Sequence, residues 1–127
     1  MDRGMPGSTS HRGRLTVGVR RTGETAVVTP EGELDHHTAE LLRTPLESAL
    51  EEGCRHLLVD CSELEFLDST GLNVLLAARL EAEAAGGAVH LAAMRPVVAR
   101  VFEITGAKAV FTVHDSLTDA LEALPDT

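Results

Sequence analysis

Tryptophan and tyrosine are missing from this chain, and phenylalanine occurs three times. Flat aromatic rings are what hold single-stranded nucleic acid, so a stacking platform for it is lacking. Positive charge is in short supply too. The 11 Lys and Arg stand against 20 Asp and Glu, a formal net charge of −9. That balance argues against nucleic acid or an anionic membrane as the main partner. No apolar run approaches the roughly 20 residues of a membrane span. Met1 to Arg14 also holds no apolar core of a secretory signal. The expected location is therefore the cytoplasm. Cysteine is scarce: Cys54 and Cys61 stand apart, without the close spacing of metal ligands. Cys61, within a strand-like run, reads as a small buried hydrophobe. At 127 residues the chain is one domain by length, able to bury about two thirds of its unfolded surface.

What is present is organised around one stretch, Glu65-Phe66-Leu67-Asp68-Ser69-Thr70-Gly71-Leu72-Asn73-Val74-Leu75-Leu76. It follows the strand-like run His56 to Cys61 and leads into a helical pattern. Leu72, Leu75, Leu76 and Leu80 have the spacing of one helix face. Ser69 or Thr70 suits the N-cap, since a hydroxyl oxygen can accept an orphan backbone N–H of the first turn. Such a hydroxyl lies at the surface, at the positive end of a helix dipole, where an added anion is tolerated. A kinase could reach it. The simplest alternative is an ordinary capped strand-to-helix turn.

Met1 to Gly13 is rich in Gly, Ser, Thr and Arg without periodicity and reads as a disordered tail. Leu15, Val17 and Val19 then alternate with polar residues. The tetrapeptide Arg21 to Glu24 supplies a turn, and Thr25 to Thr29 reads as the second strand of a hairpin. Asp35 is placed to cap a helix running through Leu42, Leu46, Ala49 and Leu50, with Gly53 past its end. Pro45 conflicts with that helix and predicts a kink, or two pieces meeting near Thr44. Beyond the central helix, Gly86-Gly87 precedes a strand over Ala88 to Ala92, and Pro96 opens a helix closed by Gly106. Val97, Val98, Val101 and Phe102 are its expected inner face. Ala109 to Val113 reads as a strand. Asp115 or Ser116 should cap a last helix with Leu117, Ala120, Leu121 and Leu124 inward, halted by Pro125. Strands alternating with helices imply right-handed crossovers and a largely parallel sheet, with the first strand antiparallel.

Two enzymatic readings fare poorly. Asp35-His36-His37 offers metal-binding side chains, but neighbours at a helix start diverge by about 100° and few can converge on one ion. His56, His90 and His114 add no ligand pattern. A Ser–His–Asp hydrolase built on Ser69 lacks the Gly-x-Ser-x-Gly elbow. The expectation is a protein without metal, cofactor or catalytic residues.

Three stretches together carry a family resemblance. They are Gly32-Glu33-Leu34-Asp35-His36-His37-Thr38-Ala39-Glu40, then Phe66-Leu67-Asp68-Ser69-Thr70-Gly71-Leu72, then the tract from Pro96 to Gly106. With their spacing, the chain from about residue 15 to 124 resembles the STAS domains of bacterial anti-sigma factor antagonists. Pro45 and the long tail look individual. The resemblance implies an α/β STAS fold over residues 14–127, after a tail of residues 1–13. It implies a mixed, mostly parallel sheet of four to five strands with about four helices. It also implies a binding switch. In the family, the unmodified protein docks on an anti-sigma factor of serine kinase type and frees the sigma factor. The kinase phosphorylates the serine after the aspartate, here Ser69, with Thr70 beside it as the alternative acceptor. Phosphorylation ends docking, and a phosphatase restores it. By resemblance the docking surface includes Glu33, Asp35, His36, Asp68, Ser69, Thr70 and Gly71. Asp35 as a plain N-cap stays open beside a partner contact. A STAS module that scaffolds a larger assembly or transport system, without phospho-switching, stays open beside the switch.

Overall fold

The computed structural model describes residues 14–124. The expected tail over residues 1–13 and the stop at Pro125 lie outside them. The hairpin forms as expected: β1 (Leu15–Thr22) pairs antiparallel with β2 (Thr25–Leu34) across Gly23-Glu24, with Gly23 at φ 61°. β2 runs on past the expected end at Thr29, straight through Pro30. Its N–H groups alternate sides. That of Glu33 donates to the Arg14 carbonyl at 2.9 Å, and that of Gly32 to the Glu63 carbonyl at 3.1 Å. Pro30 shares the side of Gly32, away from β1. There it falls between Val28↔Val59 and Gly32↔Leu64, in the gap between two partner strands, where an N–H is dispensable.

The remaining elements are α1 (Ala39–Glu51), β3 (His56–Asp60), β4 (Leu64–Leu67), α2 (Ser69–Ala84), β5 (Ala88–Ala92), α3 (Pro96–Thr105), β6 (Thr112–His114) and α4 (Leu117–Ala123). Strand order is β1-β2-β3-β5-β6, and β4 joins β2 beyond the end of β3. Every pairing except β1–β2 is parallel. The sheet thus has six strands, one more than the four to five expected. β4 escapes the period-two pattern because Glu65 is an extra residue: Gly32 pairs with Leu64, but Glu33 pairs with Phe66.

The main core lies under α1, α2 and α3. It joins Val28, Leu34, Leu57 and Val59 of the sheet to Leu42, Leu46, Leu72, Leu75, Val98 and Phe102 of the helices. A smaller cluster on the opposite face joins Val27, Leu58 and Ala92 to Ala120, with Leu117 and Leu124 packed against it. Helix α1 is continuous through Pro45, not two pieces. Leu41, whose carbonyl loses its donor to the proline, is 51% exposed, so water can replace that bond. Leu80 points outward at 62% exposure, against expectation. It lies five residues after Leu75, about 140° round the helix, and Ala78 and Ala82 take the inner places. Val97 and Leu121 are likewise exposed. The expected strand Ala109 to Val113 is displaced. A 3-10 turn over Ala107–Val110 comes first, and it delivers Phe111 edge-on to Phe102 with ring centres 5.7 Å apart.

Candidate functional site

Leu34 pairs with Leu67, so the ends of β2 and β4 lie side by side. The residues that follow them, Asp35 and Asp68, open the two turns from which α1 and α2 start. The carboxyl ends of parallel strands are where open α/β sheets place their functional groups. The parallel register therefore brings Glu33, Asp35 and His36 beside Asp68, Ser69, Thr70 and Gly71. All seven expected residues share one neighbourhood.

Asp35 is buried, 4% exposed. Its Oδ1 accepts the N–H groups of His37 at 2.8 Å and Thr38 at 3.2 Å. Thr38 completes the knot: its hydroxyl oxygen accepts the Asp35 N–H at 2.9 Å and donates to the Glu33 carbonyl at 2.8 Å. Burial alone would raise the Asp35 carboxyl. Hydrogen bonds from the His37 and Thr38 backbone, with the Thr38 hydroxyl, outweigh it and hold the group below the ordinary carboxylate value. One expectation is corrected. Asp35 is not the N-cap, because the turn it closes occupies three residues and Thr38 stands at the cap position. Its Oδ1 is committed to the turn's own donors, which fixes the carboxylate in place. Thr38, wholly buried, is the organiser that sequence reasoning missed. The Asp-x-x-Thr spacing was its signal.

Asp68 works differently. It is the N-cap of α2, and its Oδ1 accepts the Gly71 N–H at 3.0 Å. Its Oδ2 accepts the His36 N–H at 3.2 Å, across to the neighbouring turn. The His36 ring, largely exposed, puts Nδ1 3.8 Å from the same oxygen. The backbone adds a further tie, from Asp68 N–H to the Leu34 carbonyl at 3.1 Å. Neither Ser69 nor Thr70 is the cap, as had been expected. Ser69 is the first residue of α2 and is exposed, so capping makes no claim on its hydroxyl. Thr70 is half-buried. Gly71 is buried and packs closely: a Cβ there would sit 2.6 Å from Leu34 Cγ and 3.0 Å from the Leu34 carbonyl oxygen. Beside the site Phe66 presents an aromatic face at 44% exposure, paired with half-buried Glu33.

This corner offers one exposed hydroxyl at a helix N-terminus, with Asp68 at the cap position and Glu33 on the adjoining strand. Among the described residues no group of three or more His, Cys, Asp or Glu is placed to hold a metal ion. No helix among them is long and apolar enough to cross a membrane.

The family model of the STAS domain matches residues 16–120. This chain belongs to the STAS domain family. Among curated relatives, the anti-sigma F factor antagonist of Paenibacillus polymyxa is 30% identical over 99 residues, covering 77% of this STAS chain and 85% of its own. An anti-sigma factor antagonist from Mycobacterium paratuberculosis superposes with a TM-score of 0.83 at 30% identity, covering 92% of this chain and 99% of the other. The Bacillus cell fate determinant SpoIIAA, solved in its phosphorylated form, gives a TM-score of 0.68 at 27% identity, covering 84% and 97%. The STAS fold expected from the motifs is the fold observed.

Proposed function

We propose that this STAS domain is an anti-sigma factor antagonist that works by docking, with no catalytic step of its own, and that phosphorylation of Ser69 switches docking off. The relatives named as antagonists support the first part, and the phosphorylated form of one relative supports the second. One observation carries the choice of residue. Asp68 takes over the cap of α2, so the Ser69 hydroxyl is exposed and uncommitted. The docking face is the corner formed by Glu33, His36, Phe66, Asp68, Ser69 and Thr70. The partner is an anti-sigma factor of serine kinase type, and a phosphatase returns the modified form to service.

The physics suits a switch that leaves the fold alone. A phosphate adds about −1.5 to −2 charge directly beside the Asp68 carboxylate, so repulsion and desolvation fall within the interface. The N-terminus of α2 accommodates the anion through its dipole and its first-turn N–H groups. Incubation with the partner kinase and ATP should add one phosphate, located at Ser69 by peptide mass spectrometry. Ser69→Ala should abolish it. Labelling that survives Ser69→Ala and disappears in Thr70→Ala would move the acceptor by one residue. Co-purification with a transport subunit and no kinase would replace the switch with a scaffold.

A further inference from the structure

The sheet face under α4 carries three histidines on three neighbouring strands: His56 on β3, His90 on β5 and His114 on β6. The register places His90 beside Leu58 and His114 beside Ala92, both of which pack under α4. Nδ1 of His90 lies 3.0 Å from Nε2 of His114, with ring centres 5.2 Å apart and planes tilted by 22°. The nitrogens are closer than the centres by about two ring radii, so they lie on the line between the rings and point at each other. Two lone pairs chelating an ion would converge off that line. This geometry is that of an N–H···N hydrogen bond, one ring donating and the other accepting.

We propose that the His90–His114 pair is a proton-controlled latch that fastens β6 and α4 to the sheet, and that acid opens it. A first added proton can go to an outward nitrogen and leave the bond intact. A second must take the accepting lone pair, and two cationic rings then face each other donor to donor. The latch matters because this edge is short, held otherwise by the β5–β6 ladder and the small apolar cluster under α4. Among the described residues β6 is three residues long and pairs only with β5, and α4 has seven residues. A further tie is the Ala93 N–H to the His114 carbonyl at 3.0 Å.

The surroundings do not compensate a cation. Burial first, then His114 and His56, push His90 below the ordinary histidine value. β3 contributes His56, whose Nδ1 is buried without a partner, and Asp60, whose Oδ1 accepts the Ser62 N–H at 3.1 Å. On β5 the flanking positions are Ala88 and Ala92, and on β6 Thr112 precedes the pair. Asp115 is exposed, as are Asp119 and Glu122 of α4, whose buried residue is Ala120. Because the closed form holds its proton less tightly than an ordinary histidine, falling pH favours the open form, starting near pH 6.5.

Hydrogen exchange of the whole chain, corrected for intrinsic rates, tests this. Between about pH 7.5 and about pH 5.5, exchange across 112–124 should accelerate at least tenfold, while α2 stays protected. Glutamine can bridge but cannot take the second proton, so His114→Gln should hold the edge closed at both values. Equal protection of the wild-type edge at the two values would overturn the latch. So would acid loosening that persists undiminished in His114→Gln. If His114→Gln is loose at both values, ring-nitrogen NMR of the wild type decides. A shared hydrogen bond and a depressed His90 titration support the latch, and two independent, ordinary titrations overturn it.

Discussion

Asp35 and Asp68 each follow one of a pair of matched leucines at the ends of adjacent parallel strands, yet their carboxylates do different work. Asp35 is buried and spends its Oδ1 on donors within its own turn. Asp68 is half-buried and spends one oxygen on its own helix and the other on the neighbouring turn. The first builds a fixed corner. The second ties α2 to that corner and, by serving as cap, leaves the Ser69 hydroxyl uncommitted. The side chain is the same in both, and the turn that follows each strand sets which N–H groups its oxygens reach.

The largest effect should come from breaking the buried member. Asp35→Ala leaves the His37 and Thr38 N–H groups without their acceptor, at a cost of about 2–3 kcal/mol in urea denaturation. The pH dependence has a definite sign. The folded carboxyl sits below its ordinary value, so its contribution is complete above about pH 4 and is lost as pH falls through the lowered value. Asp35→Asn should remove that part of the acid sensitivity. Gly71→Ala comes next. Its methyl must displace Leu34, with an expected loss of about 1–3 kcal/mol and a shifted start of α2. Asp68→Ala should cost about 1 kcal/mol, the usual loss of a cap, and should speed amide exchange at both Gly71 and His36. Ser69→Ala should change stability by less than about 0.5 kcal/mol, because the hydroxyl caps nothing. A loss comparable to that of Asp68→Ala would erase the contrast between the two residues.

Much of the fold was legible in the sequence because strong signals coincided. The apolar run of β3, Pro96 at the start of α3 and left-handed Gly106 at its end each did what their chemistry dictates. β4 was not legible, since one bulged residue destroys alternation in a strand of four. The outward Leu80 was missed for a different reason. α2 is apolar on more than one side, and spacing alone did not reveal that Ala78 and Ala82 would face inward. At the site, the motifs identified the neighbourhood, but they gave the role of cap to the wrong residues. Asp, Ser and Thr are all competent caps, and only the β2–β4 register shows which oxygen reaches which N–H.

Titration calorimetry with the purified anti-sigma partner tests the central claim most directly. The chain phosphorylated at Ser69 should bind at least about tenfold more weakly than the unmodified chain, and Ser69→Ala should bind like wild type. Circular dichroism spectra should coincide for all three. Equal affinity of the phosphorylated and unmodified chains would contradict a charge switch at this corner.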